Sequence, residues 1–186
     1  MILATAILLT GIQSAEAKAA AKLGKELSQL AAQEGAKPTK TYILFTKPKP
    51  TWKLSTKPDE QLDSEGMWRE DVEGVGTVWP KVKVGTFVSM AYSSPSGDWF
   101  ASEDYSLRAD GTLAVARVQF SSFNPFEFRR TETRLVSKAG KTLSTKVEYT
   151  DFDAKPLTKA QIKELGEIGK EYKLRKSAKE IPFSIK

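Results

Sequence analysis

Hydrophobic and polar residues alternate with a period of two over most of residues 82–150. This period is typical of β-strands that have one buried face and one exposed face. Short turn-forming segments interrupt the alternation, and Asp110-Gly111 is the clearest turn because this pair suits the positive φ angles of a tight hairpin. The pattern predicts five consecutive strands, over residues 82–92, 99–107, 113–120, 128–136 and 143–149.

Both ends of the chain have the period of a helix instead. In the first segment three leucines recur at positions i, i+4 and i+7, and Gly35 is a stop signal. In the last segment Thr158 and Gln161 match a capping box in front of an apolar stripe. The predicted helices cover residues 18–34 and 158–174.

These elements together predict an α+β fold that is mainly β. We expect an antiparallel β-meander that forms a curved sheet or a small barrel, with the N-terminal and C-terminal helices packed on it. The length of 186 residues suits a single such domain over residues 18–186.

Two neighbouring segments before the predicted meander carry opposite charges. Residues 37–57 contain six lysines and no acidic residue, with a short apolar strand predicted at residues 42–45. Residues 59–73 contain seven acidic residues and one arginine without a clear period, which predicts a long acidic loop. The two segments can fold against each other, or each can face a partner of its own.

The first 17 residues resemble an export signal. An apolar run at residues 2–12 precedes Ala15-Glu16-Ala17, which matches a cleavage pattern, although no lysine or arginine comes before the run. Eleven apolar residues are fewer than the roughly 20 that a membrane-spanning helix needs. We expect export to the bacterial periplasm, the extracellular space or an organelle lumen. An uncleaved apolar anchor and an ordinary buried helix start are the alternatives.

Composition excludes several kinds of chemistry. The chain has no histidine and no cysteine, so disulfides, thiolate nucleophiles, sulfur-ligated metals and histidine-based triads are excluded. The run Gly74-Val75-Gly76 lacks the third glycine of a dinucleotide-binding motif. We therefore expect no catalytic residue, no metal and no cofactor. The net charge of +6 favours an anionic partner, and the expected export makes nucleic acid unlikely.

The connection Phe123-Asn124-Pro125-Phe126 is the best candidate for a partner-binding site. Its aromatic rings precede two arginines, and this combination is typical of hot spots in protein interfaces. The same rings can also fold back and close the end of the core. The predicted partner-binding residues are Phe123, Pro125, Phe126, Arg129, Arg130 and, in the acidic loop, Trp68.

A second candidate site lies on the inward face of the predicted sheet, around Glu103. A carboxylate among aromatic residues predicts an ion pair with an inward arginine such as Arg117 or Arg130, and the alternatives are a ligand site or a carboxylate-dependent hydrolase. In a lipocalin-like barrel the residues that bind a small apolar ligand would be Trp99, Glu103, Tyr105 and Tyr149.

Three functions are therefore consistent with the sequence. The first is a non-catalytic accessory or assembly protein that binds a protein partner, as a subunit of a larger complex at or near a membrane surface. The second is a lipocalin-like carrier of a small apolar ligand, which rests on fold-level analogy. The third is a carboxylate-dependent hydrolase acting through Glu103.

Overall fold

The structure is a computed structural model that describes residues 3–33, 36–46, 48–57, 60–62, 64, 69–79, 83–94, 96–172 and 174–185, without the side chains of residues 3–14. It contains two α-helices and eight β-strands in these parts of the chain. In chain order the elements are α1 (Leu3–Ala31), β1 (Lys40–Phe45), β2 (Thr51–Leu54), β3 (Val72–Val78), β4 (Gly85–Ser93), β5 (Trp99–Arg108), β6 (Leu113–Ser122), β7 (Phe128–Val136), β8 (Thr142–Thr150), α2 (Lys159–Leu165) and a 3-10 turn (Ala178–Glu180).

The eight strands form one antiparallel sheet in the order β2-β1-β3-β4-β5-β6-β7-β8. Strands β3 to β8 follow one another as a meander, and the β1–β2 hairpin extends the sheet beyond β3. The predicted fold class is therefore confirmed. The sheet is not closed, so the protein has the open-sheet form of that prediction and not the barrel form.

The five strands that the alternation predicts correspond to β4–β8, and the apolar segment at residues 42–45 lies in β1. Strand β3 was missed, because it occupies the end of the predicted acidic loop and continues to Val78. Its inward positions include Gly74 and Gly76, which have no side chain and so hide the period of two. Much of the rest of the predicted loop, including Trp68, lies outside the described residues.

The lysine-rich and acidic segments contact each other where they are described. The carboxylate of Glu60 accepts hydrogen bonds from the Ser55 hydroxyl at 2.9 Å and the Thr56 amide at 3.1 Å. The guanidinium of Arg69 lies 5.7 Å from the centre of the Phe45 ring. These contacts favour the first of the two alternatives, in which the segments fold against each other.

Both predicted helices have different bounds in the structure. Helix α1 is continuous from Leu3 to Ala31, so the Ala15-Glu16-Ala17 pattern lies inside a helix. Helix α2 begins with the predicted capping box at Thr158 but ends at Leu165, well before residue 174. Gly166 follows with a φ of 55°, a left-handed value that favours glycine and stops the helix.

The two faces of the sheet carry different partners. Helix α1 packs on the outer face, where Leu27 is buried and a Cβ atom at Gly24 would lie 2.7 Å from Val115. The inner face carries the main core and is covered by α2 and the C-terminal segment, which we define as residues 166–185. The buried side chains of this core include Val88, Met90, Tyr105, Leu107, Val118, Phe120, Phe128, Leu165, Leu174 and Ile181.

Candidate functional site

Glu103 is a buried carboxylate at the centre of the inner face. Its side chain comes from β5, and the residue is only 6% exposed. It accepts hydrogen bonds from the hydroxyls of Tyr105 at 2.5 Å and Tyr92 at 3.3 Å. It also forms an ion pair with Arg175, whose Nε lies 3.0 Å from the carboxylate. The charge is therefore buried with three hydrogen-bond donors, as a buried carboxylate requires.

Neither arginine proposed from the sequence is the partner of Glu103. Arg117 lies on the outer face, opposite Asp104 in the pairing of β5 with β6, and it donates to Gln119. Arg130 does face inward, but it lies on β7, two strands and about 10 Å away from β5. It pairs with Glu132 at 2.6 Å instead.

The partner of Glu103 is Arg175, which lies in the C-terminal segment. The sequence pattern did not predict that this segment contacts Glu103. Arg175 also donates from Nη1 to the carbonyl of Glu180 at 2.8 Å. The carboxylate of Glu180 in turn accepts from the backbone amide of Lys176 at 2.9 Å. Arg175 thus ties the end of the chain to the middle of the sheet through one side chain.

Aromatic rings continue this contact along the inner face. Tyr172 lies 5.5 Å from both Trp99 and Phe120, and Phe183 stacks on Tyr42 at 4.4 Å. A Cβ atom at Gly76 would lie 2.5 Å from the Phe183 ring, so only glycine leaves room for this ring. The glycine that interrupts the period of β3 therefore has a packing role.

The four predicted ligand-binding residues lie on this covered face. Trp99 packs against Tyr172, Glu103 is paired with Arg175, and Tyr105 is fully buried. Tyr149 is half-buried and packs against the same core. Two of the four therefore contact the C-terminal segment, Trp99 through Tyr172 and Glu103 through Arg175. A cavity of about 340 Å³ beside the β5–β6 turn is lined by none of them.

The two tyrosines beside Glu103 are expected to ionise late. Burial raises the pKa of both Tyr92 and Tyr105 well above the ordinary value of 10, and the nearby negative charge of Glu103 raises it further. The unfolded chain releases tyrosine protons from about pH 10, whereas the folded protein retains these two at higher pH. The free energy of unfolding should therefore fall as the pH rises above about 10.

Tyrosinate absorbance measures this effect directly. The chain has five tyrosines, so Tyr105→Phe should remove one-fifth of the absorbance change of the denatured protein at alkaline pH. The same variant should remove none of the change that the folded protein develops near pH 10. A clear loss of signal from the folded protein would show that Tyr105 is accessible to hydroxide.

A second site lies at the end of the sheet where β6 connects to β7. Phe123 is 59% exposed, and its ring meets the ring of Phe152 edge-to-face at 5.1 Å. The guanidinium of Arg129 lies 5.8 Å from the centre of the Phe152 ring. We call these three residues, Phe123, Phe152 and Arg129, the aromatic tip.

Hydrogen bonds hold the backbone of the aromatic tip. The amide of Phe123 donates to the carbonyl of Asp98 at 3.2 Å, and the Ser122 hydroxyl donates to the same carbonyl at 3.2 Å. The amide of Asn124 donates back to the Ser122 hydroxyl at 3.1 Å. Phe123 is thus exposed on a connection whose conformation is set by its neighbours.

The other predicted partner-binding residues have different environments. Pro125 is exposed beside Phe123 and follows a cis peptide bond. Phe126 is half-buried and its ring packs against Phe128 at 6.1 Å, so one of the two rings does fold back. Arg130 is 7% exposed and lies on the inner face, away from the tip. Phe152 was not identified from the sequence, although an apolar residue between two aspartates in a turn was a usable signal.

The described residues show neither a metal cluster nor a membrane-spanning helix. No three acidic side chains in the described part of the chain converge as metal ligands would. Among the same residues, no helix combines the length and the apolar character that a membrane crossing requires.

The fold and the site define a β-meander protein with an open sheet whose inner face is filled by its own C-terminal segment. Comparisons with protein-family models, with curated proteins and with solved structures give no match.

Proposed function

We propose that the protein is a non-catalytic accessory protein that binds a protein partner through the aromatic tip, as a subunit of a larger complex. The observation that carries this proposal is the exposure of Phe123, an aromatic side chain that is 59% exposed on a hydrogen-bonded connection. A large apolar side chain in such a position is typical of an interface anchor. The apolar run at residues 2–12 favours an exported setting for this complex.

The geometry of the aromatic tip suits binding at a low entropic cost. Phe123 and Phe152 are already in contact, and Arg129 already lies over the second ring. A surface that is ordered before it meets its partner loses little conformational freedom on binding. Phenylalanine and arginine are also enriched in protein interfaces relative to the rest of the surface.

The charges around the tip indicate the kind of partner surface. Two exposed acidic residues lie beside Phe123, namely Asp98 on the β4–β5 turn and Glu127 on the β6–β7 connection, whereas the exposed Asp153 beside Phe152 is paired with Lys155 at 3.2 Å. A matching surface would have an apolar pocket for Phe123 and basic residues at its rim. This local acidity differs from the net charge of +6 of the whole chain.

The contacts of the inner face give less support to the carrier and hydrolase alternatives than the aromatic tip gives to partner binding. Glu103 has its donors within the chain, and Trp99 packs against Tyr172 of the C-terminal segment. We therefore assign Glu103 a structural role and place the binding function at the aromatic tip.

A photo-crosslinking experiment tests the proposal. A photoreactive amino acid replaces Glu127, next to the tip, or Leu54, which is 54% exposed on β2 at the far edge of the sheet. In cells that produce the protein naturally, position 127 should give a covalent adduct of discrete mass and position 54 should not. Adding Phe123→Ser should abolish the adduct from position 127.

The Phe123→Ser variant has its own control for folding. Because Phe123 is largely exposed and loses only its edge-to-face contact with Phe152, we expect the free energy of unfolding to fall by no more than about 1.5 kcal/mol. Equal adducts from positions 127 and 54, or an adduct from position 127 that survives Phe123→Ser in a folded chain, would contradict the proposed site.

A further inference from the structure

Strand β8 leaves a long free edge on the sheet. It has nine residues and pairs with β7 along one side. On its other side only the last two residues have a described backbone partner, because Thr150 bridges to Pro156 and the carbonyl of Tyr149 accepts from Leu157. The carbonyl of Tyr149 faces away from β7, because it accepts from the amide of Leu157 at 3.0 Å. Backbone groups of alternate strand residues point to the same side, so those of Val147 and Thr145 also face away from β7. No described backbone group bonds to them there.

The two edges of the sheet differ in how they are protected. The opposite edge strand, β2, has only four residues, follows Pro50 and contains Lys53. Short length, proline and lysine are common means of preventing an edge from pairing with another chain. Strand β8 also contains a lysine, Lys146, but it is more than twice as long as β2, contains neither proline nor glycine, and carries Val147, which is 44% exposed. It is therefore the edge that is open to a further strand.

We propose that two copies of the chain associate by antiparallel pairing of β8 with β8, with Thr145 opposite Thr145 of the second copy. This pairing would make one continuous sheet through both copies. Leu143 of each copy would lie opposite Val147 of the other, which covers the exposed valine. Pairs of β-branched and apolar residues across a strand pair are favourable.

The registers centred on Lys146 and Val147 are disfavoured, the first by charge and the second by an occupied carbonyl. A pairing centred on Lys146 would place two lysines directly opposite each other, which is unfavourable. A pairing centred on Val147 would place Thr145 opposite Tyr149, whose carbonyl already accepts from Leu157. The register centred on Thr145 places Lys146 opposite Ser144. The charge of Lys146 is also balanced within its own chain by Glu148 at 2.7 Å.

Sedimentation equilibrium of the full chain tests the association. The average mass should rise with concentration from 20.6 kDa toward twice that value. Thr145→Lys places two lysines opposite each other and should keep the chain at its monomer mass. Thr145→Val is the matched control and should associate at least as well as the native chain. Thr145 is exposed and lies opposite Arg134 of its own chain, so Thr145→Lys adds one like-charge pair and should lower the midpoint of thermal unfolding slightly, whereas Thr145→Val should leave it nearly unchanged.

A single cysteine tests the register, since the native chain has none. Residues opposite each other in a hydrogen-bonded pair have Cα atoms about 5.5 Å apart, within the reach of a disulfide. Thr145→Cys should therefore give a disulfide-linked dimer under mild oxidation. In this register the two copies of residue 148 lie about 20 Å apart, so Glu148→Cys should stay monomeric.

Three results would overturn the proposal. The first is a native mass that stays at 20.6 kDa up to about 1 mM, a concentration at which even a weak complex forms. The second is a folded Thr145→Lys chain that associates as the native chain does. The third is equal crosslinking of the Thr145→Cys and Glu148→Cys chains.

Discussion

A chain that ends at Gly166 is expected not to fold. It lacks the C-terminal segment beyond Gly166, whose Leu174 and Ile181 are buried against the inner face together with the rings of Tyr172 and Phe183. Full burial of one such side chain contributes about 1.5–3 kcal/mol, and a typical domain is stable by about 5–15 kcal/mol in total. The truncation also exposes the inner face and removes the partner of Glu103. Circular dichroism and amide NMR dispersion would measure the loss of structure.

Adding the missing segment back is the control for this truncation. A synthetic peptide of residues 167–186 should restore the native spectrum of the truncated chain, because it supplies the same contacts. A peptide in which Leu174 and Ile181 are both replaced by serine should not restore the spectrum. A truncated chain that still unfolds cooperatively on its own would show that the inner face does not depend on this segment.

The second large effect is expected from Arg175→Met. This variant leaves the buried carboxylate of Glu103 with two tyrosine hydroxyls and no opposite charge. Removing one partner of a buried ion pair costs about 3–5 kcal/mol. We expect a loss near 3 kcal/mol in the free energy of unfolding, because Arg175 is partly exposed and the hydroxyls remain. Urea unfolding of the native and variant chains measures this difference.

A double-mutant cycle separates the ion pair from the loss of packing. Glu103→Gln keeps an oxygen that accepts from a tyrosine hydroxyl, and Arg175 can still reach water, so this variant should cost less than Arg175→Met. The double variant Glu103→Gln with Arg175→Met has no unpaired charge and should be more stable than Arg175→Met alone. If Arg175→Met unfolds at the same urea concentration as the native chain, the pair contributes nothing to stability.

The aromatic tip shows how far local patterns can identify a binding surface. The sequence indicated Phe123 and Arg129, because an aromatic cluster beside arginines at a turn is a local signal. It did not indicate Phe152, which lies 29 positions later than Phe123, and it did not separate Phe126, which packs inward. Whether Phe152 joins the tip and whether Phe126 packs inward depend on which turns meet at the end of the sheet. The tertiary structure determines which turns meet.

The alternation of hydrophobic and polar residues was sufficient to predict strands β4–β8 and the antiparallel meander. The capping box was sufficient to predict where α2 begins. These features depend on interactions between residues that are near in sequence, so a local pattern records them. The inward glycines of β3 have no side chain, so the sequence of this strand shows no alternation. Only the tertiary structure shows that aromatic rings from other elements pack against these glycines.

The tertiary structure alone decided what fills the inner face. The sequence indicated that Glu103 is buried, but Arg175 lies 72 positions away, just after the predicted helix at residues 158–174. A buried carboxylate requires a hydrogen-bond donor, and the sequence alone does not distinguish among the arginines that could supply it. Which one reaches it depends on the path of the chain after Gly166, which is set by packing over long sequence distances and not by any local period.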